Sequence, residues 1–484
     1  MKTAKLTIIA LSIALTGCSL APNYEKPEAE LTTHYLYQEQ TQGVSGEAFT
    51  DNGQWWQAFN DDVLNSLIER TQAQNLSLQM AGQQIKAAQA YQTAVASFKV
   101  PTVALGAGYL SYGLSENDPL LGPAITAKHP ETGQSLNLVE QDSGAFTAGA
   151  SISWELDLFG RIEHQSKAAA IRAEQAEIYR TGLNTLITSD LTNNYLQYRG
   201  AQQRLQIARN NIAEQTEMLE LVKKLSASGY GSELDVAQAS SLLAATKASE
   251  PQLVIAKKVH LHRMAMLMGV TPAALQGELA QSAALPEYSS AIPVGLPADL
   301  LTRRPDIALA EREMAAINEK LGAAIANKYP KVYLTGSPGL VAKDFSDLFS
   351  SSSTAWLASV GVRWNIFDGG RTDAMIDLEN SRFEHAALNY QHSVNNALNE
   401  VETWLVVYGN SQQYQKQVAE ATLQAQSAVS KAESLYAAGL IDYISVLDAQ
   451  RQQNTLQDAY VVAQLQTVNA VVALQKALGG DWEI

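Results

Sequence analysis

The side chains that most often do chemistry, histidine and cysteine, are few in this chain. There are seven histidines and one cysteine among 484 residues. His260 and His262 are close in sequence, but residues two apart in a helix point to different faces and do not share a metal ion. No His-Glu-x-x-His, phosphate-binding glycine loop or Gly-x-Ser-x-Gly sequence occurs. We therefore expect no enzyme activity, no cofactor and no metal site.

The chain begins with a pattern that directs secretion. Lys2 and Lys5 precede a short apolar run, Leu6–Leu15, which small residues follow. This order is typical of a secretory signal peptide. The run is shorter than the roughly 20 apolar residues that cross a bilayer as a helix. We predict a signal peptide over residues 1–17.

The single cysteine follows that run directly, in Leu15-Thr16-Gly17-Cys18. These four residues resemble the lipobox of bacterial lipoproteins, in which the peptide is removed before the cysteine and the cysteine is acylated. We predict lipidation of Cys18. Ser19, not aspartate, follows it, which by the same resemblance favours the outer membrane. An ordinary signal peptide with an incidental cysteine is the alternative.

The charge of the chain excludes one class of partner. Its formal net charge is −15 at pH 7, whereas nucleic-acid binding needs a basic surface. An acidic surface suits a soluble, water-lined environment. We expect no nucleic-acid partner.

A tandem repeat organises the sequence. Many residues recur at a common offset of 210 positions: Trp154 as Trp364, Gly160 as Gly370, Arg161 as Arg371, Gly229 as Gly439 and Ala239 as Ala449. A shared offset over so many residues indicates duplication. We predict an extended, lipidated N-terminal segment over residues 18–54, a first repeat over 55–285 and a second over 286–484.

Each repeat contains a long stretch without proline and rich in good helix formers. The glycines at its two ends delimit predicted helices of about 160–228 and 370–438, which at 1.5 Å per residue are on the order of 100 Å long. A second helix is predicted after each, at 233–269 and 443–478. Their apolar residues form narrow stripes, with polar residues between. Such helices pack side by side, so we predict a single curved layer and not a solid bundle.

Four segments alternate apolar and polar residues with the period of a β-strand. The clearest runs from Phe146 to Leu158, and Trp356 to Ile366 repeats it. We predict strands at about 100–112, 145–158, 330–341 and 354–367. Ten-residue strands with one apolar face are typical of membrane β-barrels. A half-buried strand of a soluble sandwich is the alternative.

Four strands cannot close a membrane barrel alone. Lipid does not satisfy open sheet edges, so a spanning sheet must close, and the smallest single-chain barrels have about eight strands. Two copies of this chain would supply eight strands and three would supply twelve. An eight-stranded barrel is filled by its own side chains, so a conducting pore favours three copies.

Four further segments carry a resemblance to a known family. The chain resembles the TolC-like outer-membrane factors, in particular the lipoprotein branch that serves resistance-nodulation-division (RND) multidrug pumps. The matching segments are Trp55–Phe59, Leu296–Leu301, Arg303–Ile307 and Trp364–Arg371. Arg304-Pro305-Asp306 also has a purely local interpretation, since proline opens a helix and aspartate complements its N-terminal dipole.

The resemblance implies a mainly α-helical protein with a membrane β part. Three copies would form a 12-stranded outer-membrane β-barrel continuous with a 12-helix periplasmic α-barrel, each chain giving four strands. By the same resemblance, the homotrimer would be anchored by lipid and would be the exit duct of a tripartite efflux system. A periplasmic adaptor and an inner-membrane RND-type pump would supply small-molecule drugs. An exit channel for type I protein secretion and a non-conducting coiled-coil lipoprotein scaffold are the alternatives.

The resemblance also places an aperture gate at the glycine turns. It implies that Asp235, Ile444 and Asp448 face the aperture and become rings of three in a trimer. Carboxylate rings favour cations and repel one another. The tip turns that meet the partner protein would be Gly229, Tyr230, Gly439 and Leu440.

Asp235 has a second interpretation. Ser232-Glu233-Leu234-Asp235 has the spacing of a capping box, in which the fourth side chain reaches back to the helix start. The sequence leaves the cap and the gate open for this residue. Asp448 lies too far into its helix to cap it, which favours the gate there.

Overall fold

The computed structural model describes residues 22, 24–27, 31–46, 53–136 and 138–480. The predicted signal peptide and the lipidation residue Cys18 lie outside the described residues. The chain separates into two compact units. The described residues of one lie within 1–25, 88–173 and 314–385, and those of the other lie within 26–87, 174–313 and 386–484.

Helices make up most of the described chain. In chain order they are α1 (Asp62–Gln74), α2 (Leu76–Ala96), α3 (Gly122–Ile125), α4 (Arg161–Ala227), α5 (Glu233–Met268), α6 (Pro272–Gln276), α7 (Leu300–Arg303), α8 (Pro305–Ala326), α9 (Arg371–Ala437) and α10 (Tyr443–Ala477). Within the described ranges, no helix is both long and apolar enough to cross a membrane.

The strands are fewer. They are β1 (Val44–Ser45), β2 (Thr102–Gly113), β3 (Asp142–Leu156), β4 (Ile292–Pro293), β5 (Lys331–Ala342) and β6 (Thr354–Arg363). The short strands β1 and β4 form a parallel pair. The four long strands form one antiparallel sheet in the order β2-β3-β5-β6.

The register of the long sheet collects apolar residues on one face. Leu105 of β2 pairs with Ala150 of β3. Further along β3, Trp154 pairs with Leu334 of β5, which pairs with Val360 of β6. Since alternate residues of a strand point to opposite faces, these residues and those two positions away share a face. The opposite face carries polar pairs such as Thr335 and Ser359, whose hydroxyls lie 2.7 Å apart.

The two central strands approach each other closely at a pair of glycines. A Cβ built on Gly149 would lie 2.6 Å from the carbonyl oxygen of Pro338, and one built on Gly339 would lie 2.8 Å from that of Ala148. Any larger residue would push the strands apart. The pairing of β3 with β5 is interrupted beside Pro338, which has no N–H to donate.

Both strands that precede the long helices end earlier than the alternation predicts. β3 ends at Leu156 and β6 at Arg363, whereas the pattern continues to 158 and 367. The residues that follow the two strands make other contacts. The carboxylate of Asp157 accepts the N–H of Glu163 at 2.6 Å and so caps α4, while the indole of Trp364 donates to the carbonyl of Lys328 at 2.9 Å.

The larger unit has a continuous apolar core. It is built from fully buried residues of α1, α4, α5 and α10, including Leu64, Leu67, Ile68, Leu196, Met264, Met268 and Leu474. Asp61 caps α1 by accepting the N–H of Leu64 at 3.0 Å and also accepts the hydroxyl of Tyr195 at 2.6 Å. Capping and core packing therefore fix α1 against α4.

Arg304 connects three segments of this unit. Its guanidinium donates twice to Asp306, at 3.0 and 2.7 Å, and once to Glu400 of α9 at 2.7 Å. It also donates to the carbonyl of Ala477, at the end of α10, at 2.8 Å. Helix ends leave carbonyls without partners inside the helix, so Arg304 supplies one of the missing donors.

Candidate functional site

The two glycine turns lie between α4 and α5 and between α9 and α10, and they have the same geometry. Gly229 and Gly439 adopt positive φ values of 80° and 71°. The N–H of Gly229 donates to Ser226 and that of Tyr230 donates to Leu225; Gly439 and Leu440 repeat both bonds with Tyr436 and Leu435. This is the Schellman motif, which requires a left-handed residue at the glycine position.

The residues that follow the glycines project into solvent. Tyr230 is 86% exposed and Leu440 is 71% exposed. In a Schellman motif this residue commonly packs back onto its own helix. Here the two large side chains are exposed instead.

Asp235 forms the capping box that its spacing allows. Its carboxylate accepts the N–H of Ser232 at 3.0 Å, and its own N–H donates to the hydroxyl of Ser232 at 3.1 Å. The carboxylate therefore stabilises the start of α5. This contact explains the residue locally, without an aperture role.

Asp448 has a different environment, on an exposed face of α10. Its side chain is 69% exposed, and the guanidinium of Arg451 lies 3.8 Å away. A long, solvent-exposed ion pair of this kind contributes little to stability. Asp448 is not a helix cap and makes no close ion pair, so fold stability gives no reason for a carboxylate here. Ile444, one turn earlier, is 44% exposed.

Beneath the turns, the two hairpins pack against each other. Leu219 and Val222 of α4 and Leu242 and Leu243 of α5 are buried in one cluster with Tyr443, Val446 and Leu447 of α10. The rings of Tyr436 and Tyr443 have centroids 5.5 Å apart. Burial raises the pKa of Tyr443 to about 12, and Tyr436 and Asp235 add to this rise. The turns thus share one apolar support.

Sequence reasoning missed one residue of this site, Leu234. It is 64% exposed and precedes Ile444 by 210 positions. The repeat offset could therefore have identified it. The two turns differ at their caps, because Asp442, at the position equivalent to Ser232, makes no side-chain capping bond.

The surface around the turns combines charged and apolar side chains. Exposed carboxylates and apolar side chains lie at the helix ends around the turns. In the part of the chain that the structure describes, no group of three or more histidine, cysteine, aspartate or glutamate residues could hold a metal ion.

Comparison with known proteins gives a consistent result. The family model described as "Outer membrane efflux protein" matches residues 67–270 and 296–480. The toluene efflux pump outer membrane protein TtgF of Pseudomonas putida is 29% identical over 492 residues, which cover 100% of this chain and 98% of the relative. The cation efflux system protein CusC of Escherichia coli O157:H7 is 26% identical over 490 residues, which cover 100% of both.

Solved structures agree with these relatives. The outer-membrane channel OprN is 31% identical and has a TM-score of 0.86; the match covers 96% of this chain and 99% of that one.

Proposed function

Because this chain belongs to the outer membrane efflux protein family, we propose that three copies of it form the gated exit duct of a tripartite efflux system. The predicted fold class, a mainly helical chain with four membrane strands, is confirmed by the likeness to outer-membrane channels. The chain is an outer-membrane efflux protein.

The observation that carries the proposal is a sheet with one apolar face and two open edges. Within the described ranges, β2 pairs only with β3 and β6 pairs only with β5. Each unsatisfied backbone group in hydrocarbon costs several kcal/mol. Pairing β6 of one copy with β2 of the next removes both edges, and three copies close a ring of twelve strands.

The number of copies is tested with the lipidated protein in detergent. We expect native mass spectrometry to give three chains and planar bilayers to show ion conductance. A stable monomer, or a trimer that never conducts under any voltage, would favour the non-conducting scaffold.

We propose that Asp448 belongs to the closed aperture. Its exposure, and the absence of a strong structural contact to explain it, support this role. Three carboxylates held together near an axis would repel anions and favour cations. Leu234 and Asp235 lie at the start of α5, and Ile444 lies at the start of α10. For Asp235, the capping box is a sufficient explanation without a role in the gate.

We expect Asp448→Ala to raise passive conductance and antibiotic entry, because the charged constriction is lost. The matched control is Glu384→Ala, another exposed acid on a long helix, far in sequence from both turns. Single-channel recordings and susceptibility assays check this. Unchanged conductance in the Asp448 variant, or an equal increase in the control, contradicts the gate assignment.

The cargo and partners follow from the family and from the turns. We propose that a periplasmic adaptor meets the exposed turns through Tyr230 and Leu440, and that an inner-membrane RND-type pump delivers drugs and other small toxic compounds. The duct itself catalyses nothing. We expect a deletion strain to become susceptible to drugs but not to metals. We also expect a pull-down with this protein to recover the adaptor. Loss of a secreted protein instead would favour type I secretion, and hydrolase or transferase activity in pump-free protein would contradict a passive duct.

The membrane attachment is a separate part of the proposal. We propose that residues 1–17 are removed, that Cys18 is acylated and that residues 18–54 lead into repeats at 55–285 and 286–484. Mass spectrometry of the mature N-terminus measures this directly. An unmodified Cys18 would leave the channel without its lipid anchor.

A further inference from the structure

Two cations face each other across one end of the long sheet. Lys331 is the first residue of β5 and Arg363 is the last residue of β6, and the two form a directly opposed cross-strand pair. Lys331 lies four residues before Thr335, and Arg363 lies four residues after Ser359. Since alternate residues of a strand share a face, both cations lie on the polar face of the sheet. Like charges in such a pair destabilise a sheet, so fold stability does not explain them.

The first repeat has a neutral pair at the equivalent place. Thr102 occupies the position of Lys331, since each follows an aligned proline. Ser153 occupies the position of Arg363, since each precedes an aligned tryptophan. Thr102 and Ser153 are themselves directly opposed, between β2 and β3. Pairs of hydroxyl residues are favourable in sheets. The same junction is therefore built without charge in one repeat, and the two cations are particular to the other.

Acids near the pair compensate its charge only in part. Within the described ranges, neither Lys331 nor Arg363 forms a salt bridge. The nearby acid, Glu155, accepts two hydrogen bonds from Arg161, at 3.0 and 2.9 Å. Arg161 and Arg363 are both close enough to act electrostatically on Lys331, and so is Glu155. Arg161 thus adds a third cation to this group and occupies its nearest acid.

The remaining contacts hold the group without neutralising it. The guanidinium of Arg363 lies over the ring of Tyr333, with its Cζ 5.6 Å from the ring centroid. This cation–π contact orients the side chain and leaves its charge. Asp157, the next acid after Glu155 on β3, accepts the N–H of Glu163 at the start of α4. Even with Asp157 counted, three cations stand against two acids, in a chain whose formal net charge is −15.

We propose that Arg161, Lys331 and Arg363 form an anion-attracting ring in the duct, with one such group from each of three copies. This inference rests on the proposed trimer, in which the polar face of the sheet lines the water-filled interior. Rings of arginine and lysine favour anions in membrane pores. The ring favours small organic anions, with a carboxylate or sulfonate group, over cations of similar size. Its preference is opposite to that of the carboxylates of Asp448.

The duplication supplies the substitutions that test the ring. Lys331→Thr with Arg363→Ser introduces the neutral pair of the first repeat. The matched control, Lys331→Arg with Arg363→Lys, exchanges the two cations and keeps their charge. Because all proteins compared share Asp448 and the turns, a difference between them comes from this pair.

The measurement is the reversal potential of the lipidated trimer in planar bilayers, under a gradient of potassium benzoate near about 0.01 M. The Debye length is then about 30 Å, so charges on the wall act across a wide duct. We expect the ratio of benzoate to potassium permeability to fall at least about twofold in the neutral variant. The charge-conserving control should keep the ratio of the unmodified chain.

Salt gives a second measurement of the same effect. At about 1 M salt the Debye length is about 3 Å, so the neutral variant and the control should then have the same permeability ratio. A difference that persists at high salt reflects a changed shape of the duct and overturns the inference.

The other outcomes are equally decisive. An unchanged ratio in the neutral variant overturns the inference, as does the same fall in the charge-conserving control. Failure of the neutral variant to form trimers on native gels also overturns it, because the cations would then have a structural role. If the unmodified chain itself does not conduct, the proposed function has failed. A conducting trimer with unchanged selectivity removes the ring alone and leaves the duct.

Discussion

Arg304 illustrates how much one side chain can connect. Its four hydrogen bonds reach Asp306, Glu400 and the carbonyl of Ala477, and its side chain is only 11% exposed.

We predict that Arg304→Lys lowers the stability of the assembled protein by about 1.5–3 kcal/mol, because an ammonium cannot reproduce the planar fork of a guanidinium. Thermal unfolding followed by circular dichroism measures the loss. Arg263→Lys is the control, since Arg263 makes one exposed contact of 3.5 Å; an equal shift in both variants would contradict the prediction.

At this scale the sequence predicted local roles better than distant ones. The glycines of the turns and the cap at Asp235 could be predicted because their hydrogen-bond partners lie within six residues in the sequence. The partners of Arg304 lie 96 and 173 positions away, and no local pattern encodes such a separation. The local interpretation of Arg304-Pro305-Asp306 therefore described the start of α8 correctly but missed its connection to α9 and α10.

At the scale of elements, His260 makes the contact between α4 and α5 sensitive to pH. Its Nδ1 lies 3.0 Å from the amide oxygen of Asn194, and burial lowers its pKa below the ordinary value of 6.5. The unfolded chain therefore binds a proton at a higher pH than the folded chain does. The contribution of His260 to stability is therefore complete above about pH 6.5, the ordinary histidine pKa, and declines as pH falls below it.

We expect His260→Gln to remove part of this decline. The measurement is the thermal midpoint between about pH 7.5 and 5.5, a range in which an ordinary histidine gains its charge. His262→Gln provides the matched control, because His262 is exposed on another face of the same helix. If both variants keep the full slope of the unmodified chain, His260 does not carry the effect.

Elements were predictable where periodicity was long and uninterrupted. The alternation in β3 and β6 and the proline-free stretches of α4 and α9 indicated strands and long helices. The ends of the strands were harder to predict, since Asp157 continues the alternation of β3 but caps α4 instead.

At the scale of the whole molecule, the sheet specifies an assembly that one chain does not complete. Counting strands in the sequence indicated that several copies are needed. The sequence did not give the register, which depends on the close approach of Gly149 and Gly339 and on the interruption beside Pro338. That register aligns the apolar residues of all four strands, and so determines which face is expected to meet lipid in the trimer.

The assignment of that face can be tested on neighbouring residues of β6. Val360 lies on the apolar face, opposite Leu334, and Ser359 lies on the polar face beside Thr335. We predict that Val360→Arg reduces trimer in the outer membrane and abolishes drug resistance, since an arginine facing mid-bilayer lipid costs about 2–4 kcal/mol in each copy. Ser359→Arg should assemble normally and shift the channel toward anions, because its charge would face the water-filled interior. Heat-stable trimer in membrane fractions and reversal potentials in bilayers measure the two effects. If Ser359→Arg prevents assembly while Val360→Arg does not, the faces are reversed, and with them the side of the sheet that lines the duct.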